Sequence, residues 1–160
     1  MRIRNRLTVL AASLLLAACT SPNDELATEN LVAETVTVRW GTYFGMCAGY
    51  CRNDLEINGS TVRLTRRSWG RGTTLPDRVE EQPIPRSAWL DIVAKINAAN
   101  ISNMQDQYGC PDCADGGGEW VELQQGDKLK RVTFEYGRGP RELEAVLKEL
   151  RALRQKFPAQ

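Results

Sequence analysis

Between positions 34 and 40, "ETVTVRW" places Val36, Val38 and Trp40 at every second residue, the period of a strand with one buried face. The alternation returns at Leu55 and Ile57, breaks at Asn58-Gly59 and resumes at Val62 and Leu64. Asn-Gly between two alternating runs predicts a hairpin, because both residues tolerate the positive φ that a two-residue turn demands. Residues 68–85 hold three prolines and two glycines and read as a long loop with a short edge strand around Val79.

The period then changes. Trp89, Ile92, Val93 and Ile96 fall at i, i+3, i+4 and i+7, the apolar stripe of a helix over 85–100. An irregular exit over 101–109 leads to a second hairpin over 118–137, turning at Gly126-Asp127. In it Trp120 sits on the face opposite Val121 and Leu123, while Val132, Phe134 and Tyr136 share a face. Leu143, Val146, Leu147, Leu150, Leu153 and Phe157 stripe a C-terminal helix. Pro140 suits its first turn, Glu142 and Glu144 its positive end, and Lys156 its negative end. The order is strand, hairpin, helix, hairpin, helix. It predicts an α+β domain: an antiparallel sheet of two hairpins plus a leading strand, with two helices packed on one face and disulfide-stapled loops.

The N-terminus departs from this patterning. Arg2, Arg4 and Arg6 precede a largely apolar run of twelve residues, 7–18. Twelve are too few to span a hydrocarbon core of about 30 Å as a helix, but they suit a signal-peptide core. The run ends in "LAAC", closing on Cys19. Small residues before a cysteine, directly after such a core, resemble a bacterial lipoprotein signal. The resemblance implies cleavage before Cys19 and lipidation there. Two or more acyl chains anchor firmly, at about 0.8 kcal/mol per buried methylene. Thr20 stands where, by the same resemblance, an aspartate would hold the protein in the inner membrane. The expected site is therefore the cell envelope, in the outer membrane facing the periplasm. The expected organisation is a signal peptide (1–18), a lipidated N-terminus and flexible tether (19–33), and a single domain (34–160). As a flexible coil, 20–33 would reach roughly 20 Å.

Charge adds little. Without 1–18 the chain carries 18 basic residues (21 less 3) against 20 acidic ones, a balance with no nucleic-acid footprint. The remaining domain is large enough to bury about two thirds of its unfolded surface. The chain has no histidine, which removes Ser-His-Asp and Cys-His catalysis, imidazole metal ligands and a histidine pH switch. No cofactor is called for.

Chemistry is concentrated in two cysteine pairs, Cys47 and Cys51 in "TYFGMCAGYC" and Cys110 and Cys113 in "GCPDCADGGG". In an exported chain the simplest reading is two disulfides, with three connectivities open. In the chain-entropy model a bridge between the two loops contributes roughly 4 kcal/mol and a local one roughly 2. That favours long-range pairing where the loops lie within reach. A four-cysteine zinc site using Cys47, Cys51, Cys110 and Cys113 is the first alternative. A redox dithiol is the second, since "CPDC" resembles the Cys-Pro-x-Cys motif of thioredoxin-like proteins. The helix that lowers the thiol pKa in such motifs is replaced here by a glycine run and a strand.

Asp106, Asp112, Asp115 and Glu119 cluster around the second pair without EF-hand spacing and read as a solvated acidic loop. Arg63, Arg66, Arg67 and Arg71 read as a solvated strand edge. Trp40, Trp89 and Trp120 read as core. Tyr43, Phe44, Tyr50 and Trp69 are the candidate binding surface, because a glycine-rich loop closed by cysteines presents aromatics rigidly.

The block "FGMCAGYCRNDLEINGSTVRLTRR" (44–67), followed by a helix, a second cysteine stretch, a hairpin and a Leu-rich helix, resembles an uncharacterised family of bacterial exported proteins and lipoproteins, the domain of unknown function 6438 type. Phe44, Gly45, Cys47 and Tyr50 match its Cys-Phe-Gly-x-Cys-x-x-Tyr pattern. Tyr43 stands at the pattern's first cysteine and Cys51 is additional. The resemblance covers roughly 34–157, and it implies the fold and location but no activity. The sequence thus points to a lipid-anchored envelope lipoprotein that acts by binding an envelope protein or ligand. The opposing class is a periplasmic thiol-disulfide protein.

Overall fold

A computed structural model describes residues 35–69 and 75–158. The signal, Cys19, the tether and Arg71 lie outside the described residues.

Seven strands form one sheet: β1 (Val36–Tyr43), β2 (Tyr50–Asn58), β3 (Thr61–Ser68), β4 (Arg78–Pro83), β5 (Gln107–Tyr108), β6 (Gly118–Gln125) and β7 (Lys128–Glu135). Their order is β4-β3-β2-β1-β6-β7-β5. The two hairpins form where alternation meets a glycine turn, with Gly59 at φ 61° and Gly126 at φ 57°. The leading strand pairs on both sides. Val38 faces Ile57 and Leu123, and Trp40 faces Leu55 and Val121. In-register pairing places Val36, Val38, Trp40, Leu55, Ile57, Val121 and Leu123 on one face.

That face is covered by α1 (Arg86–Ala98) and α2 (Glu144–Gln155). Trp89, Ile92, Val93 and Ile96 of α1 and Val146, Leu147, Leu150 and Leu153 of α2 join Val38, Leu55, Ile57, Leu64, Val121 and Phe134 in a single buried cluster. The result is the two-layer α+β domain that the patterning predicts. Pro140 opens a 3-10 turn, Arg141–Leu143, which leads into α2.

Two strands extend the sheet beyond the hairpins. β4 forms the edge expected near Val79 and pairs antiparallel with β3. β5 falls in the stretch read as irregular and pairs parallel with β7 over Gln107 and Tyr108 only, which makes the sheet mixed. Two residues are too short to show a period, so the alternation signal never arises.

A buried carboxylate closes the packing between layers. Glu119 is 0% exposed. It accepts hydrogen bonds from Trp40 Nε1 at 2.7 Å, Arg151 Nε at 2.9 Å, Arg151 Nη2 at 2.6 Å and the Gly137 amide at 3.1 Å. The solvated role expected of Glu119 is therefore overturned: "EWVEL" puts it on the core face, one residue before Trp120. Arg66 is corrected in the same way. It is 1% exposed and donates to Glu80 at 2.6 Å and to the Pro158 carbonyl at 2.7 Å. Arg63 and Arg67 lie on the opposite face, where β3 alternation sends them.

Among the described residues no helix covers the second face of the sheet. Arg39 pairs with Glu56 and Glu122, Arg131 with Glu122, Arg52 and Arg67 with Asp54, and Arg63 with Glu81. Trp120 lies on this face, as predicted, yet it is only 4% exposed. The Arg131 guanidinium sits 4.1 Å from its ring centroid. Beneath the ring is Gly41, where an added Cβ would stand 2.5 Å from Trp120 Cζ2. Glycine in the middle of β1 thus lets an indole lie flat on an uncovered sheet, and arginine covers its outer surface. Gly41→Ala is expected to destabilise the domain by about 1–3 kcal/mol through overpacking. Chemical denaturation followed by tryptophan fluorescence measures this, and an unchanged midpoint would refute the stacking.

Candidate functional site at the cystine end of the sheet

Antiparallel pairing brings one end of several strands together. Tyr43, at the end of β1, faces Arg52 and Gly118; Gly118 faces Glu135; and Tyr50 faces Ser68. The loops 44–49 and 109–117, the turn after β7 and Trp69 after β3 therefore gather at one end of the sheet.

Both cysteine pairs are bridged within their own loops. Cys47 and Cys51 have Cα atoms 5.6 Å apart, and Cys110 and Cys113 5.5 Å apart, both within disulfide range. The loops are neighbours, but the covalent links stay local. Each bridge closes a short ring, so its entropic contribution is about 2 kcal/mol, and it shapes its loop more than it braces the fold. With both pairs bridged, none of these four sulfurs is a thiolate free for zinc. Among the described residues no group of three or more His, Cys, Asp or Glu converges to hold a metal.

A carboxylate joins the two loops instead. Asp112 Oδ1 accepts the Gly45 amide at 3.2 Å and the Gly117 amide at 3.1 Å. Asp112 also donates its own amide to the Gly117 carbonyl at 3.0 Å, and Tyr136 donates to the same carbonyl at 3.2 Å. Asp112 is accordingly a structural acceptor rather than part of a solvated loop. The loop it sits in is conformationally demanding: Asp112, Ala114 and Asp115 adopt φ of 61°, 52° and 59°, a region that disfavours residues with a Cβ.

The aromatic residues pack around this junction. Phe44 and Tyr136 meet edge to face with centroids 4.9 Å apart, and Tyr43 and Trp69 do so at 6.4 Å. Trp69 Nε1 donates to the Phe44 carbonyl at 2.9 Å, and the Tyr50 hydroxyl donates to the Pro76 carbonyl at 3.0 Å. Burial raises the Tyr43 phenol above its usual pKa, with the Asp112 charge adding to the effect. The four aromatics singled out in the sequence, Tyr43, Phe44, Tyr50 and Trp69, are thus brought together. Met46 (59% exposed), Tyr136 (51%) and Trp69 (36%) form its outer surface.

Tyr136 corrects an expectation. β7 ends at Glu135, so Tyr136 does not share the core face of Val132 and Phe134; it leaves the sheet and packs on Phe44. The glycine after it was the available signal, since Gly137 at φ 75° turns the chain. Met46 and Glu135 were also missed. Glu135 Oε1 accepts the Cys110 amide at 3.0 Å and its Oε2 pairs with Arg138 at 3.0 Å. With Cys110, Cys113, Gly117 and Tyr136, Glu135 and Arg138 line a shallow cleft of about 260 Å³.

No family model matches the chain, and no curated protein matches it. Membership of the family that the 44–67 block resembles therefore stays an expectation.

The Cys110 amide, and secondarily Arg138, hold the Glu135 carboxyl below its ordinary value of 4.5. A depressed folded-state pKa contributes stability that is present above the unfolded value and lost as pH falls through the folded one. In an amide NMR titration, Cys110 is expected to shift with a midpoint lower than an ordinary glutamate's, and Glu135→Gln is expected to abolish the step. A Cys110 amide that ignores acid would dismiss the contact.

Proposed function

We propose that the protein is a lipid-anchored cell-envelope lipoprotein whose α+β domain acts by binding a partner through its cystine end, without catalysis. The observation that carries this reading is the convergence of Tyr43, Phe44, Tyr50, Trp69 and Tyr136 with Met46 around two bridged loops. Aromatic and methionine side chains supply large contact areas, and Trp and Tyr recur among the residues that dominate interface energies. Here the aromatic rings are held by edge-to-face contacts and by hydrogen bonds to backbone carbonyls, so binding has little left to order in them.

The envelope location rests on the "LAAC" signal ending at Cys19. Bridged cysteines fit that compartment, because disulfides persist where the surroundings oxidise thiols. In this reading the membrane is a partner only through the N-terminal lipid, and the protein partner lies in the envelope.

Cys19→Ala in the full chain, expressed with its own signal, is expected to move the protein from the membrane to the soluble fraction. Mass spectrometry of the wild-type N-terminal peptide is expected to show diacylglyceryl and acyl groups on Cys19. An unmodified Cys19 would remove the anchor from the reading.

A photo-reactive residue at Met46 is expected to capture an envelope component, and Trp69→Ala with Tyr136→Ala is expected to abolish the adduct. Equal capture from Ser60, at the other end of the sheet, would argue against a dedicated surface.

A further inference from the structure

The two bridges differ in access. Cys51 is 1% exposed and Cys47 is partly covered. Cys110 and Cys113 are both exposed and line the open cleft. Attack on a disulfide requires a thiolate to reach a sulfur, so access selects which bridge exchanges. The Cys110–Cys113 loop is also the strained one, with Asp112, Ala114 and Asp115 all at positive φ. Asp112 lies inside the closed ring, and Ala114 and Asp115 follow directly after it, so opening the ring frees Asp112 to relax and removes a constraint on the two residues beyond it.

We infer that Cys110–Cys113 is a thiol-exchange site for a dithiol of another envelope protein, and that its opening loosens the aromatic binding surface. The incoming thiolate attacks one sulfur of the bridge and the other leaves as a thiolate. The partner's second thiolate then breaks the mixed disulfide. The partner ends as a disulfide, and two electrons and two protons end on Cys110 and Cys113. No helix of useful length follows the motif to lower a thiol pKa, so the site suits a target of exchange rather than a catalyst of it.

The structure supplies the link to the surface. Asp112, inside the ring, holds Gly45 and Gly117 through one carboxylate oxygen. Gly117 lies against the Phe44 ring, and Phe44 accepts the Trp69 indole at its carbonyl. Relaxing Asp112 removes the only hydrogen bond between the two cystine loops found among the described residues. The gating rests on the binding surface proposed above, whereas the exchange stands without it.

The test equilibrates full-length mature protein with dithiothreitol buffers of graded ratio, traps free thiols by alkylation and maps them by mass spectrometry. The expected result is a form in which Cys110 and Cys113 are alkylated while Cys47 and Cys51 remain bridged. Simultaneous opening of both bridges, or earlier opening of Cys47–Cys51, overturns the exchange site. Ala114→Gly is expected to lower the equilibrium constant for reduction roughly two- to five-fold, because glycine adopts positive φ freely; no change or a rise counts against strain. Hydrogen exchange then reads the gating. Amides 44–49 are expected to exchange about ten-fold faster in the reduced wild type and in the Cys110→Ser, Cys113→Ser variant, with β1 and β6 still protected. Unchanged exchange at 44–49 in the reduced wild type overturns the gating, whether or not the variant folds. Failure of the binding reading would show elsewhere, as loss of the Met46 adduct in both redox states.

Discussion

The Glu119 carboxylate, buried where sheet, helix and loop meet, is the constraint on which the arrangement depends. A charge so far from water is tolerated only when its acceptor sites are filled, and here four donors fill them. The four donors come from three parts of the chain: Trp40 from the central strand, Arg151, which supplies two, from α2, and Gly137 from the turn that releases Tyr136. Hydrophobic burial brings the helices to the sheet but has no preferred direction. The carboxylate adds direction. It fixes how far α2 slides along the sheet and where the chain departs after β7, and hence where Tyr136 meets Phe44.

At the cystine end the division of labour is different. The covalent bonds shape each loop, and the non-covalent Asp112 contact sets one loop against the other. An inter-loop disulfide would have fused the pair permanently. A hydrogen-bonded link leaves the two loops adjacent but separable, so a change confined to one ring reaches the other through a single side chain. The rest of the described molecule is tied differently. Its open sheet face is tied by arginine–carboxylate pairs, many of them partly exposed and individually weak, which keep the face charged but balanced.

Much of the fold was legible because the period of the apolar residues is clear. Val36, Val38 and Trp40, the two alternating hairpins and the stripes of both helices all went where their spacing sent them. What escaped was set by contacts distant in sequence. Glu119 reads as acidic and soluble until Arg151 and Trp40 arrive from elsewhere. Arg66 reads as basic surface until Glu80 and Pro158 cover it. β5 is held by β7, not by its own two residues. In the site, the aromatics near the first cysteine pair could be nominated because glycines and cysteines surround them. Met46 offered no period, and Tyr136 continued a strand-like alternation that Gly137 ends. The disulfide pairing escaped for the opposite reason: the entropic argument compares unfolded chains, whereas loop geometry decides which sulfurs meet.

The direction of β1 has a consequence for how the molecule stands. Its eight residues run from Val36, beside the Gly126 turn, to Tyr43 at the cystines, a rise of roughly 23 Å at about 3.3 Å per residue. A lipid attached upstream of Val36 would root the opposite pole from the aromatic cluster. The strand would then serve as a standoff, carrying the contact surface clear of the headgroups and out to where a neighbouring macromolecule could reach it.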